Sequence, residues 1–208
     1  MAIADPARLA DAPETLDDPA DFPDPDRLYE VVDGRFVEKK LGAFENWVTF
    51  RLGYLIEAFV EANGLGRTFV ETFFRTRRTP TSNRMRKPDV SFLSSGRWPL
   101  DRPVPKTTAF EVPPDLVVEV ISPTDRAVAV HAKVFEYFEA GVARVWQVYH
   151  ATGSIVVHES PSASRTYRRG EVLDGGPVLP GFRLALADLL PEPGPSPLPD
   201  DEPPGDDD

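Results

Sequence analysis

The sequence predicts an α/β domain with a mixed β-sheet, and three features carry that expectation. Short apolar and β-branched runs bounded by Gly, Pro and Asn alternate with two stretches of helical spacing. The most informative of these units is a strand, a Ser-Pro stop and a helix, which reads PPDLVVEVISPTDRAVAVHAKVFEY from Pro113 to Tyr137. Composition then limits the chain to one domain: 208 residues with 41% hydrophobic content supply one good core, and too little for two ordinary domains plus tails.

The net charge of −11 is divided unevenly. Residues 1–26 hold eight acids and Arg8, and residues 187–208 hold eight acids and no base. Residues 27–186 carry 22 bases against 18 acids, so this part is +4. Acidic, Pro-rich ends with few apolar residues cannot offset the entropy of ordering them. The expected organisation is therefore a disordered tail over 1–26, a folded domain over 27–190 and a disordered tail over 191–208. Such tails can compete with nucleic acid for a basic site, although solubility and spacing are the simpler uses. The lack of cysteine excludes disulfides and thiolate metal sites and fits a cytoplasmic location. The start MAIADPARLADAPE has neither a basic region nor an apolar core, so no signal peptide is expected. No apolar run reaches the roughly 18 residues of a membrane span.

In chain order, Arg27 to Lys40 alternates around Asp33-Gly34, a strong hairpin signal, with Glu30 and Glu38 on its arms. Phe44, Trp47, Val48, Leu52, Leu55, Ile56, Phe59 and Val60 recur at three- and four-residue steps, which predicts an amphipathic helix with this stripe in the core, ended by Asn63-Gly64. Thr68 to Phe74 predicts one strand. Arg75, Arg77, Arg78, Arg84, Arg86 and Lys87 follow with no acid between them, and Pro80, Ser82 and Asn83 mark a loop at the centre of this run. A run of that kind suits a phosphate backbone, because Lys and Arg neutralise phosphates and release counterions. A solvated loop, or a docking place for the acidic tails, is the alternative use. Pro88 to Leu93 predicts a short strand with Asp89 at its start.

Leu116 to Ile121 is a buried-type strand with one carboxylate, Glu119, inside it, and burying that charge is costly unless a cation or donor meets it. The following helix carries Lys133 and Tyr137 one turn apart. Gly141 stops it. Ala143 to Tyr149 is the next strand, paired through the turn Ala151-Thr152-Gly153 with Ser154 to His158. Arg165 to Arg169 and Glu171 to Leu173 read as a further hairpin, and ALADLL as a short terminal helix. His131, His150 and His158 lack metal-ligand spacing, Ser122 lacks a nucleophile-elbow context, and no Gly-rich phosphate loop is present.

Asp89 and Glu119 both fall on predicted strands in apolar settings. If those strands are neighbours, the carboxylates converge, and two carboxylates with water and phosphate oxygens are what Mg²⁺ requires. Such an ion polarises a phosphoryl oxygen and lowers the pKa of a bound water, and the Lys133 ammonium can orient that water or stabilise developing charge.

These residues also carry a resemblance. Lys87-Pro88-Asp89-Val90, Pro114 to Pro123, Lys133 with Tyr137, Gly141-Val142 and Trp146, together with the opening Tyr29 to Gly34, are similar to the Uma-type putative restriction endonucleases within the PD-(D/E)XK nuclease superfamily. The resemblance runs over roughly Leu28 to Leu190. It implies a restriction-endonuclease-like fold, a mixed sheet flanked by helices, with Asp89 and Glu119 as ligands of Mg²⁺ or Mn²⁺. The superfamily's simplest pattern places Lys two residues after the acid, where this chain has Ile121, so the resemblance implies a lysine moved to the next helix, where Lys133 matches. Where the family often has Asp after its Trp-containing strand this chain has Tyr149, and near the family's early helical His it has Glu45.

The expected function is a metal-dependent DNA endonuclease: Asp89 and Glu119 hold the ion, Lys133 assists, and Glu30 is an additional acid. A homodimer is one arrangement that would cut both strands of a duplex. Two other classes remain: a non-catalytic nucleic-acid-binding or protein-interaction module that keeps the fold, and a structural domain whose buried acids are paired with arginines, such as Glu119 with Arg86.

Overall fold

A computed structural model describes residues 8–11, 23–24, 27–33, 35–39, 42–79, 82–106, 109–190 and 192, with backbone alone at 8–11, 77–79 and 82–83. The strands are β1 (Arg8–Asp11), β2 (Leu28–Val32), β3 (Arg35–Lys39), β4 (Gly66–Val70), β5 (Phe73–Thr79), β6 (Ser82–Arg86), β7 (Val90–Ser94), β8 (Ala109–Phe110), β9 (Leu116–Val120), β10 (Arg144–Tyr149), β11 (Ser154–Ser160), β12 (Ala163–Arg168), β13 (Val172–Asp174) and β14 (Arg183–Ala185). The helices are α1 (Ala43–Ala62), α2 (Ala127–Glu139) and α3 (Leu186–Leu189).

These strands form two six-stranded sheets and a small pair, β13 with β14. The first sheet runs β1-β3-β2-β6-β5-β8, and the second runs β12-β11-β10-β9-β7-β4. Both are mixed: β5 and β8 are parallel in the first, β9 and β10 in the second, and the remaining pairs are antiparallel. The parallel pair β9 and β10 needs a crossover, and α2 supplies it.

Strand alternation sets the layers. In β9 every side chain is buried. Leu116, Val118 and Val120 join Val48, Leu52, Ile56 and Val60 of α1 in the main core, with Trp146 and Val148 of β10. Val117 faces the other way, into a smaller cluster with Val134 and Tyr137 of α2 and Val145. The second sheet is thus covered by α1 on one face and by α2 on the other. The first sheet has its own core of Tyr29, Val31, Phe36, Phe73 and Met85.

Five expectations need correction. The predicted single strand over Thr68 to Phe74 is two strands in different sheets, because Glu71 has a φ of 47° and breaks the extended backbone between β4 and β5. The central loop of the basic run is shorter than Pro80, Ser82 and Asn83 suggest: Ser82 and Asn83 belong to β6, and β5 and β6 pair as a hairpin from Phe74 with Arg86 to Thr79 with Ser82. Within the N-terminal stretch expected to be disordered, Arg8–Asp11 extends the first sheet by pairing with β3. The other residues of 1–22, and those of 193–208, lie outside the described residues. The predicted hairpin of Arg165 to Arg169 with Glu171 to Leu173 does not form: β12 folds back on β11, and β13 pairs with β14. On α1, Phe44 and Trp47 are over 40% exposed, so the buried stripe is narrower than the spacing suggests.

Candidate active site

Alternation brings Asp89 and Glu119 to one face. Val90 and Phe92 enter the core under α1, which leaves Asp89 on the α2 side, as Val117 and Glu119 are in β9. The register pairs Val90 with Val118. One step further sets Asp89 opposite Glu119, where Cβ atoms of an antiparallel pair stand about 5 Å apart. Both residues are buried, at 1% and 4% exposure, and Asp89 Oδ2 accepts the Val120 N–H.

The helix after Ser122-Pro123 returns over this face. Lys133 Nζ lies 3.1 Å from Glu119 Oε2, and Tyr137, one turn later, donates its hydroxyl to Glu119 Oε1. The two helical residues therefore close on one carboxylate, one oxygen each. Lys133 Nζ is also 3.1 Å from Glu30 Oε1. Glu30 gets there because Tyr29 and Val31 fill the core of the first sheet, which turns residue 30 to the opposite face. The pairing of Val31 with Met85 sets Glu30 opposite Arg86, whose guanidinium donates to Glu30 Oε2 at 2.8 Å. Arg86 also donates from Nε to Glu136 Oε2 at 2.8 Å, while Arg84 holds Glu136 Oε1 at 2.6 Å and Asp33 Oδ1 at 2.7 Å. Arginine pairing of Glu119 is not what the structure shows: Arg86 serves Glu30 and Glu136 instead.

Two further residues, which the sequence reading did not single out, complete the cluster. Lys39 ends β3, and its ammonium lies 2.7 Å from Asp89 Oδ1, 2.9 Å and 3.1 Å from the Glu71 carboxylate oxygens and 2.8 Å from the Lys87 carbonyl. Glu71 reaches it through the left-handed backbone that separates β4 from β5, a conformation uncommon outside glycine. The signals available were weak ones, a Glu71-Thr72 pair interrupting two aromatic runs and a lysine on a charged hairpin arm.

Burial and charge act in opposite directions on these groups. Burial alone would raise the Glu30 carboxyl, but Lys133, Arg86 and Lys39 outweigh it and hold it at about 2. Burial pushes Glu71 up to about 8; Lys39 opposes this and the Asp89 carboxylate adds to it. Glu119 is raised by burial, with Lys133 opposing and Asp89 reinforcing. Burial favours a neutral Lys133, yet Glu119 and Glu30 reverse that and keep it an ammonium. Burial, with Glu119 and Glu30, places the Tyr137 hydroxyl well above its usual value, so it stays a donor.

The basic run is largely committed inside the chain. Arg75 is buried, with Nε donating to Glu111 at 2.9 Å and 3.0 Å, and Arg84 and Arg86 are in the network above. Lys87 lies 5.3 Å over the Phe73 ring. The side chains of Arg77 and Arg78 lie outside the described residues. Among the histidines, His150 pairs with Glu45 at 2.9 Å and His158 with Gln147 at 3.0 Å. A cavity of about 570 Å³ opens at the C-terminal ends of β9 and β10, lined by Ile121, Ser122, Val130, His131, Gln147 and Tyr149 among others. Gln147 pairs with Glu119 in the parallel register, so the cavity lies on the same face as the acid pair.

The donor set fits a divalent cation. Asp89 Oδ1 is buried and, among the described residues, makes no hydrogen bond of its own; a cation faces it, the Lys39 ammonium. No three His, Cys, Asp or Glu among the described residues form a ready-made metal cage. Mg²⁺ seldom uses one, being held by one or two carboxylates with waters and substrate phosphates.

Among solved structures, the chain is similar to a protein described as a putative nuclease belonging to DUF820 from Anabaena variabilis ATCC 29413, with a TM-score of 0.70 and 17% identity over 86% of this chain and 98% of that one. At that identity the likeness is one of fold, and it is the nuclease-like architecture of mixed sheets and flanking helices that the sequence led one to expect. No curated protein matches the chain. A family model, Uma2, described as "Putative restriction endonuclease", matches residues 16–187. With most of its length matched, the chain belongs to the Uma2 family of putative restriction endonucleases.

Proposed function

We propose that this protein is a nuclease, and more narrowly a metal-dependent DNA endonuclease in which Asp89 and Glu119 bind Mg²⁺ or Mn²⁺. The observation that carries this reading is the register of β7 and β9, which sets buried Asp89, just before β7, opposite buried Glu119 on β9, with the Lys133 ammonium 3.1 Å from Glu119. A divalent ion held there supplies Lewis-acid polarisation of a phosphoryl oxygen and a lowered pKa for a coordinated water.

The chain's own residues do the rest. Lys133 is an ammonium, so it cannot take a proton; it donates hydrogen bonds and places positive charge where negative charge grows on the phosphorus oxygens. Tyr137 fixes the Glu119 carboxylate by its hydroxyl. Glu30, held ionised, positions Lys133 from the first sheet and is a supporting acid rather than a partner of Asp89. The cavity beside Gln147 and Tyr149 gives a nucleic acid room on the same face. Family membership and the nuclease fold support phosphodiester hydrolysis as the reaction class. Among the described residues no helix is long and apolar enough to cross a membrane.

Incubating purified protein with supercoiled plasmid and Mg²⁺ or Mn²⁺ tests the reading, with nicked product expected. A second reading, a binding module that keeps the fold without catalysis, is favoured by one observation: Lys39 and Lys133 already neutralise the carboxylates of Asp89 and Glu119. Salt-dependent DNA binding with no metal binding in titration calorimetry would support that module instead.

A further inference from the structure

Four oxygens surround the Lys39 ammonium: Asp89 Oδ1 at 2.7 Å, the Lys87 carbonyl at 2.8 Å and the two Glu71 oxygens at 2.9 Å and 3.1 Å. An ammonium has three protons and cannot give four acceptors a well-aligned bond each. Asp89 Oδ1 is the one left with an ion pair and no hydrogen bond, although it is the most buried acid of the cluster. The Asp89 carboxylate, the Lys87 carbonyl and, once it is ionised, the Glu71 carboxyl are hard oxygen donors of the type that hold Mg²⁺ or Mn²⁺. The backbone reinforces this arrangement. Glu71 adopts a φ of 47°, and its N–H donates to the Asp89 carbonyl at 3.2 Å, which holds the two acids side by side. A strained non-glycine residue of this kind persists where its surroundings over-determine it, and here it aims a carboxylate at a cation.

Lys39 comes from outside that layer. It ends β3 in the first sheet, whereas Glu71 and Asp89 flank β4 and β7 in the second. Its charge sits on a flexible four-carbon stem, so the ammonium can leave without any strand moving.

We propose that Lys39 is the resident cation of this cluster and that a divalent ion reaches Asp89 by exchange with the Lys39 ammonium. The inference rests on the reading of Asp89 as a metal ligand. Asp89 Oδ2 already accepts the Val120 N–H, so a dication at this carboxylate takes Oδ1, where it and the Lys39 ammonium repel each other in a buried site. The fold is therefore complete without metal, and the exchange lowers apparent metal affinity. Once released, the ammonium leaves Glu71 and the Lys87 carbonyl as further oxygen donors beside Asp89.

Two measurements on the full chain test this. In the first, lysine amines of the unmodified protein are acetylated with and without Mn²⁺ and quantified by mass spectrometry, with exposed Lys106 as the internal reference. Lys39 is expected to be protected without the ion and several-fold more reactive with it. In the second, Mn²⁺ is titrated calorimetrically into the parent, Lys39→Met and Asp89→Asn. Lys39→Met is expected to bind at least about tenfold more tightly, since a like charge is removed from the site, and Asp89→Asn to bind weakly. Binding by Lys39→Met alone would overturn the exchange, because the ammonium would then block the site and not give way to the ion. If the parent binds Mn²⁺ through Asp89 while Lys39 stays protected and Lys39→Met gains nothing, the exchange is overturned and the nuclease reading stands. If neither protein binds Mn²⁺, the exchange is overturned too, and metal-dependent cleavage fails separately in the plasmid assay. Should Lys39→Met not fold, the labelling of the unmodified protein still decides.

Discussion

The Lys133 ammonium sits 3.1 Å from Glu119 Oε2, and the same nitrogen lies 3.1 Å from Glu30 Oε1. Those two carboxylates belong to different sheets, so one helical lysine ties the sheets together at the acid cluster. Replacing Lys133 with Met leaves two buried carboxylates without their shared cation. Breaking a buried pair in that way costs about 3 kcal/mol of stability, and loss of the charge lowers cleavage by at least about a hundredfold. Urea denaturation and a nicking assay on the same preparation separate the two effects.

Tyr137→Phe is a finer probe. It keeps the ring in the cluster of Val117, Val134 and Val145 and removes only the hydroxyl that Glu119 accepts. An acceptor left buried without that donor costs about 1–3 kcal/mol. A change in stability near zero would mean that water or Lys133 takes over the second oxygen.

Acid should weaken the fold through Glu30. Its carboxyl titrates at about 2 in the fold against an ordinary value of 4.5, so its stabilisation is present above 4.5 and is lost as pH falls towards 2. Glu119, raised by burial, works in the opposite sense: it is easier to bury protonated, and its contribution is lost as pH rises. Comparing the parent with Glu30→Gln isolates the first effect. The stability gap between them, on the order of 3 kcal/mol near neutral pH, should narrow steadily below 4.5; a gap constant with pH would contradict the ion-pair account.

Within the basic hairpin, Arg86 is bound to acids. Arg86→Met removes the partner of Glu30 and Glu136 and should destabilise the protein by about 3 kcal/mol. Arg77→Ala with Arg78→Ala is expected to leave stability within about 0.5 kcal/mol and to lower the salt slope of DNA binding by about two. Binding titrations at several salt concentrations read the slope directly.

What the sequence revealed, and what it hid, follows from the range of the interactions. The unit of β9, Ser122-Pro123 and α2 was legible because an apolar run, a proline stop and an i, i+4 pair are local signals, and the pairing of Lys133 and Tyr137 with one carboxylate follows from them. Asp89 was legible as a lone acid at the start of an apolar strand. Glu71 was not, because nothing in Thr68 to Phe74 except a polar pair announces a left-handed residue where glycine or asparagine is usual. Lys39 stayed hidden for another reason: only the meeting of two sheets brings it to Asp89, and its neighbours in sequence mark an ordinary charged arm. The misread hairpin after Arg165 was a turn signal overlooked, since the residues between Ser160 and Ala163 are Pro161 and Ser162.

The central claim is that Asp89 and Glu119 form the metal-binding pair of a nuclease. Its most direct test is plasmid nicking in Mn²⁺ by the parent and by Glu119→Gln, with circular dichroism as the control for folding. The account predicts that the parent nicks and that the folded variant loses at least about two orders of magnitude in rate. A folded Glu119→Gln that nicks as fast as the parent would contradict it.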